Sequence, residues 1–366
     1  MKAVFRRMVL PVAAIAVIFA AAACPLFAQA PTGPQNGAQP PQDQNTPKPA
    51  PAAPPPQQGG VTISVEVPVV TLDVVAATQH GDILTGLTKE NFRVTQDGVP
   101  QTISNFSPTD APITTVLLLE FSSRGMYEYF GYMSKYWATA LFPALKQKDW
   151  VALETFDMRT RLEVDFTQDK REVIDAINHL YFPGFSESNL FDALVETADR
   201  LKDVKGKKSI IVVASGVDTF SKHTLDKTFN ELRQTDATIF CVGLGQAYQN
   251  FQLMNGRGRG SNLTLLQAEN QLKEFSRMTG GNAWFPQFDA ELPGIFQQVA
   301  SFLRNQYSIS YTPTTGANDG KFHKIKVELV APDGGPLTVL DQKGKKQKFV
   351  VYAREGYEAP KAGTGD

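Results

Sequence analysis

Apolar positions recur every second residue at both ends of the chain and every three to four residues through its middle. Val61, Ile63, Val65 and Val67 alternate with polar residues, and after Pro68 the alternation resumes on the other parity with Val70, Leu72 and Val74. That period of two belongs to strands with one buried face. Asp97-Gly98 between Val94 and Ile103 is a hairpin signal, because both residues tolerate the positive φ such a turn requires. Residues 61–110 therefore read as a small β unit with one helical turn near Thr88–Phe92.

From about Thr114 the pattern changes to strands alternating with helices, the signature of a mostly parallel sheet covered on both faces. Strands are expected at Thr115–Glu120, Trp150–Phe156, Leu162–Phe166, Ser209–Ala214, Thr238–Gly243 and Ala283–Phe285. Helices are expected at Met126–Lys146, Lys170–Leu180, Leu190–Leu201, Thr224–Gln234, Leu263–Met278 and Ala290–Arg304. The last carries Leu292, Ile295, Phe296, Val299, Phe302 and Leu303, one helical stripe. After Gln306 the period returns to two, with Tyr307, Ile309 and Tyr311, then Ile325, Val327 and Leu329, then Phe349–Ala353. Residues 307–358 are expected to complete the amino-terminal β unit, around an α/β domain over 111–306 and before a tail at 359–366.

Composition sets the first 60 residues apart. Lys2, Arg6 and Arg7 precede an apolar run from Met8 to about Ala23, and Ala28-Gln29-Ala30 offers a small-x-small cleavage site. The run is shorter than the roughly 20 residues a spanning helix needs, so residues 1–30 read as a secretory signal. Export to the periplasm, cell envelope or extracellular space follows, with no transmembrane segment in the mature chain. Ala21-Ala22-Ala23-Cys24 is the alternative, a weak lipoprotein box that would place a lipid anchor on Cys24. Residues 31–60 are dominated by Pro, Gln, Ala and Gly and read as an extended linker. Loss of residues 1–30 removes three basic residues and no acid, leaving 33 basic against 37 acidic residues and a net charge of −4. That balance gives no electrostatic case for nucleic acid or an anionic membrane. Cys241, alone in the mature chain, sits in the apolar run Ile239-Phe240-Cys241-Val242 and reads as a small buried hydrophobe.

Three loops carry a family resemblance. Glu120-Phe121-Ser122-Ser123-Arg124 follows the first central strand and resembles the Asp-x-Ser-x-Ser metal-binding loop of von Willebrand factor type A domains. Ser186-Glu187-Ser188-Asn189-Leu190 resembles that family's Gly-Gly-Thr loop opening a helix, with Ser188 at the place of the metal-binding Thr. Val213-Ala214-Ser215-Gly216-Val217-Asp218 is similar to its Ser-Asp-Gly-x-Asp strand end, with Ser215 at the place of an Asp and with Gly216 and Asp218 matching. Leu87-Thr88-Lys89-Glu90-Asn91-Phe92, Met278-Thr279-Gly280-Gly281, Gln306-Tyr307 and Arg354-Glu355-Gly356-Tyr357 resemble the flanks of the related family known from acidobacterial exported proteins. The resemblance spans roughly residues 61–357. It implies a von Willebrand A, Rossmann-like, doubly wound and mostly parallel sheet, flanked by a β unit built from the N- and C-terminal strands.

The resemblance also implies a metal-ion-dependent adhesion site, a place for Mg²⁺ in near-octahedral oxygen coordination. The matching residues here are Glu120, Ser122, Ser188 and Asp218. The departures weaken it: Glu120 is a methylene longer than Asp, Ser215 removes a carboxylate, and Arg124 replaces a hydroxyl by a permanent cation. The site reads as degenerate. No cofactor is expected, and Mg²⁺ binding is the alternative. Ser123, Arg124, Ser215, Tyr129 and Tyr132 are then candidates for direct partner contact, the tyrosines because they are enriched at interface hot spots. The plainer readings are a solvated loop for Arg124, packing on the β unit for the tyrosines, and a turn closed or a helix capped by Asp218 and Thr219.

No catalytic constellation stands out. The four histidines, His80, His179, His223 and His323, fall in no metalloprotease-like pattern, and there is no nucleophile elbow or phosphate-binding Gly-Lys-Ser/Thr loop. The expected function is non-enzymatic binding of a protein partner by an exported module. The alternatives are an Mg-dependent adhesion-type domain and a structural envelope component.

Overall fold

The computed structural model describes residues 69–108, 111–122, 141–180, 187–254, 262–341 and 343–361, all within one unit, Ser64–Asp366. The signal, the linker, Cys24 and the Val61–Val67 alternation lie outside the described residues. The amino-terminal strands are β1 (Val70–Thr78), β2 (Phe92–Gln96), β3 (Val99–Gln101) and β4 (Ile103–Pro108). The middle of the chain supplies β5 (Ile113–Glu120), β6 (Trp150–Phe156), β7 (Thr160–Thr167), β8 (Lys207–Ala214), β9 (Thr238–Gly243) and β10 (Ala283–Trp284). Its described helices are α1 (Lys170–Asn178), α2 (Leu190–Arg200), α3 (Leu225–Gln234), α4 (Gly245–Met254), α5 (Asn262–Met278) and α6 (Leu292–Arg304).

The middle strands form one sheet in the order β10-β9-β8-β5-β6-β7. Every pair is parallel except β6 with β7. β5 lies between β8 and β6, and the alternation of its side chains divides the interior. Ile113, Leu117 and Leu119 pack with Val173 and Ile177 of α1, Ala247 of α4 and the apolar stripe of α6. Val116 and Leu118 pack on the other face with Leu190 and Leu194 of α2, Leu232 of α3, and Leu272 and Phe275 of α5. A strand buried on both faces needs apolar residues at nearly every position, and each fully buried Leu or Phe contributes about 1.5–3 kcal/mol.

The ends of the chain build a sandwich. Adding β11 (Tyr307–Tyr311), β12 (Phe322–Leu329), β13 (Val339–Leu340), β14 (Lys346–Gln347), β15 (Phe349–Tyr352) and β16 (Gly356–Glu358), one sheet runs β15-β1-β11-β4 and the other β16-β12-β2-β3. Leu72, Val74, Phe92, Val94, Ile309, Tyr311 and Ile325 fill the space between them. Val75 and Ala77 of β1 face the other way, into the core that contains α6. The Asp97-Gly98 turn between β2 and β3 has φ of 49° and 83°, the left-handed geometry its sequence predicts.

Two expectations need correction. The helix expected over Met126–Lys146 does not reach Lys146. Residues 123–140 lie outside the described residues, Phe142–Ala144 is a 3₁₀ turn containing Pro143, and Leu145 is extended. Proline has no N–H to continue the helical ladder. Helix α4 had no counterpart in the sequence pattern: only Gly245 and Ala247 of it are buried, and Tyr248 and Phe251 pack on the core only partly buried. No described helix is long and apolar enough to cross a membrane.

A polar clamp ties the hairpin to β12. His323 is hydrogen-bonded through Nδ1 to Asp97 Oδ2 (2.7 Å) and through Nε2 to Asp319 Oδ1 (2.9 Å). Burial works against the imidazolium, but the two carboxylates outweigh it and raise the pKa above the usual 6.5. The hydrogen bond from His323 holds each carboxyl below 3.8. A raised histidine stabilises the fold below pH 6.5 and loses that contribution as pH rises through its folded pKa. The lowered carboxylates stabilise above pH 3.8 and lose theirs as pH falls through their folded pKa values. Both operate only between these limits. Urea midpoints of the wild type and His323→Leu should therefore differ most between about pH 4 and 6.5, with the gap narrowing on either side. A gap independent of pH would show that the clamp is not ionic.

Candidate functional site

In an open α/β sheet, ligands bind at the carboxyl ends of the strands, and here those of β5 and β8 meet at one carboxylate. Glu120, the last residue of β5, is 2% exposed. Its Oε1 accepts from Ser122 Oγ (3.0 Å) and its Oε2 from the backbone N–H of Ser215 (2.6 Å), just past the end of β8. Burial pushes the Glu120 carboxyl above the usual 4.5; hydrogen bonds from Ser215 and Ser122 oppose the rise, and the charge of Asp218 adds to it. The turn after Ser215 needs glycine. Gly216 has φ of 84°, and a Cβ there would lie 2.8 Å from Leu272 Cδ1 of α5.

The second and third loops are stitched together by hydrogen bonds. Thr219 Oγ1 accepts from Ser188 N (2.9 Å), while Ser188 O accepts from the N–H groups of Thr219 (2.8 Å) and Phe220 (2.9 Å). Asp218 Oδ1 accepts from Phe191 N (3.1 Å) and Ser221 Oγ (2.5 Å). Burial raises the Asp218 carboxyl pKa against these bonds. Asp218 thus covers a free N–H in the first turn of α2, whereas the helix that follows it, α3, is capped by Thr224. The side-chain oxygens of Ser188 and Asn189 are buried without a hydrogen-bond partner among the described residues. Phe220, at the outer side of this loop, is 49% exposed.

Of the residues singled out in the sequence, Glu120, Ser122 and Ser215 share one hydrogen-bonded cluster. Ser188 and Asp218 are joined through the Thr219–Ser221 turn. Ser123, Arg124, Tyr129 and Tyr132 lie outside the described residues. The sequence reading missed Asp192 and His223. Asp192 accepts from the N–H groups of Lys222 and His223 (2.9 Å each), and its Oδ1 lies 2.6 Å from His223 Nδ1. Burial opposes the Asp192 carboxylate, but these hydrogen bonds outweigh it and lower its pKa. The available signal was a carboxylate inside the apolar run Leu190-Phe191-Asp192-Ala193-Leu194, which only an internal partner explains.

The sheet order, helices on both faces and loops converging at the ends of β5 and β8 define a doubly wound α/β domain with a polar site at its carboxyl edge. Residues 116–277 match the model of the von Willebrand factor type A domain, and this part of the chain belongs to that family. Among solved structures, the chain is similar to von Willebrand factor type A from Catenulispora acidiphila, at 11% identity over 72% of each chain with a TM-score of 0.41. The vWF domain of the type V pili tip protein from Porphyromonas gingivalis is 11% identical over 53% of this chain and 95% of its own, with a TM-score of 0.39. Proximal thread matrix protein 1 from the mussel byssus is 12% identical over 54% of this chain, with a TM-score of 0.42, and the match spans 49% of the mussel chain. No curated protein matches the sequence.

The buried carboxylate makes a stability prediction. A carboxyl with its folded pKa above 4.5 favours the folded state less as pH rises through that interval. Glu120→Gln does not titrate, and its amide can donate to Ser122 Oγ while its oxygen accepts from Ser215 N. The variant should therefore gain stability relative to wild type as pH rises from 4.5 through the folded pKa of Glu120, read from urea midpoints. A constant difference across that range would show that Glu120 keeps an ordinary pKa.

Proposed function

We propose that this chain is an exported, non-catalytic module that binds a protein partner through the loops at the carboxyl ends of β5 and β8, without a bridging metal ion. The observation carrying this reading is the internal commitment of Glu120. Both its oxygens accept hydrogen bonds from the protein, and burial favours its neutral form. Ser215 brings a hydroxyl where the family places a carboxylate, and Asp192 is occupied by Lys222 and His223. Mg²⁺ takes oxygen donors and is held most firmly where carboxylates supply negative charge, and this set offers it little. The exposed ring of Phe220 then supplies an apolar anchor of the kind that dominates interface energetics.

The side chains with nucleophilic or acid–base capacity favour binding over catalysis. Cys241 is fully buried and its thiol is pushed up to about 12, so it supplies no thiolate at neutral pH. His323 is held at both ring nitrogens. Export rests on residues 1–30; fused to alkaline phosphatase, they should deliver an active reporter outside the cytoplasm, and an inactive cytoplasmic fusion would refute export.

One observation favours the metal-bridged alternative: the hydroxyl of Ser188 is buried without a partner, and a bound ion would satisfy it. Titration calorimetry of the purified chain with Mg²⁺ and Mn²⁺ separates the readings. We expect no micromolar binding, and partner capture by a photo-crosslinker at position 220 that EDTA leaves unchanged. Micromolar metal binding lost in Ser122→Ala, or EDTA-sensitive capture, would establish the metal-bridged reading instead.

A further inference from the structure

The hairpin formed by β13 and β14 stands apart from the rest of the chain by its charge. Residues 337–350 carry four lysines, Lys343, Lys345, Lys346 and Lys348, against one acid, Asp341, a local balance of +3 in a chain whose net charge is −1. Averaged over the whole chain, the patch disappears. All four lysines are exposed. Lys207, Lys208, Lys273 and Lys326 each pair with a carboxylate, whereas none of these four does among the described residues.

The turn that presents them is wired from inside. Asp341 N donates to Lys345 O, and Gly344 N donates to Asp341 O (2.9 Å each). Asp341 Oδ1 accepts from the N–H groups of Lys343 and Lys345 (2.8 Å each). Gly344 takes φ of 76°, a left-handed geometry open to glycine. The one carboxylate of the stretch is thus turned into its own loop, and the lysines are left at the surface. Asp82, which lines a groove with Leu340 and Lys343, accepts from Thr78 Oγ1 (3.2 Å), and counting it still leaves the patch positive.

Strand geometry decides what shares a face with the lysines. Leu340 lies directly opposite Lys346, and Val339 opposite Gln347. Directly opposed residues of an antiparallel pair project to the same side. Exposure alternates along the returning chain, with Lys346 and Lys348 exposed and Gln347 and Phe349 half-buried. Phe349 packs on the sandwich core. Leu340, Lys346 and Lys348 therefore stand together on the outer face, where Leu340 is 57% exposed. Such a face matches a partner that is anionic at one depth and apolar just beneath it. A bilayer with anionic headgroups has that order. Lysine stems lie along apolar surface while their ammonium groups stay at the polar layer, and interfacial binding grows with apolar burial plus charge attraction. A purely acidic polymer would meet the lysines and leave Leu340 in water.

We propose that the outer face of this hairpin is a membrane-contact site that seats on an anionic phospholipid bilayer, with Lys343, Lys345, Lys346 and Lys348 at the phosphates and Leu340 inserted just below them. The site shares no residue with the strand-end loops, so its failure leaves the reading of those loops untouched.

The test is co-sedimentation of the full chain with vesicles of phosphatidylcholine alone or of equal parts phosphatidylcholine and phosphatidylglycerol. Partitioning should be at least tenfold stronger into the anionic vesicles and should weaken with salt. Each lysine near an anionic surface contributes about fivefold. The triple variant Lys345→Gln, Lys346→Gln, Lys348→Gln alters exposed positions only and should lose at least tenfold in anionic partitioning. Leu340→Asn keeps every charge and should weaken it by roughly threefold or more. Residues 1–30 are the same in every variant, so any contribution of theirs cancels in these ratios. Equal partitioning into both vesicles, or a lysine variant that partitions as the wild type does, would overturn the proposal. So would lysine-dependent capture by soluble polyglutamate that matches capture by vesicles and is indifferent to Leu340→Asn, which would assign the face to an acidic polymer.

Discussion

The fold turns on a carboxylate at the end of a strand that has no face to spare. β5 is buried on both sides, so the group that terminates it has almost no water to reach. A charged carboxylate in that position is costly unless neighbours satisfy it, and the neighbours found are Ser122 and the backbone of Ser215. Because Ser215 follows β8 directly, the same hydrogen bond fastens the ends of two adjacent central strands. Glu154, an equally buried carboxylate in β6, is met by Thr197 and the guanidinium of Arg200. Burial is the largest influence on both carboxyls and raises both, but Glu120 has neutral donors only among the described residues.

The extra methylene of glutamate has a structural reading in this setting. An aspartate at position 120 would hold its oxygens about one bond length closer to its own strand. The longer side chain lets one oxygen take the Ser215 N–H while the other takes Ser122 Oγ, so the carboxylate spans two strand ends. Serine at position 215 puts no like charge beside the carboxylate, which is satisfied by donors from within the protein.

Much of this was legible in the sequence, and the limits of legibility have physical causes. Continuous apolar runs marked β8 and β9 because both faces of those strands are covered. Asp97-Gly98 marked its hairpin because few other pairs accept positive φ twice in succession. Helix α4 was invisible because it buries too little to impose a pattern. The three site loops could be recognised from residue types, but their wiring could not. The Asp192–His223 contact joins residues 31 positions apart, and the Glu120–Ser215 contact joins residues 95 apart. Such contacts follow from how helices and strands stack, and no local spacing announces them.

The sandwich and the α/β domain share a wall of apolar side chains. Phe302 of α6 meets Trp284 of β10 at 5.4 Å and Tyr352 of β15 at 5.0 Å between ring centroids, both edge-to-face. Aromatic pairs in that arrangement prefer a fixed angle and separation, so they set the spacing between the two edge strands. Val75 and Ala77 of β1 enter the same core from the sandwich side. β10 and β15 are thus held near each other by the ring of Phe302 behind them, which ties the position of the sandwich to that of the central sheet.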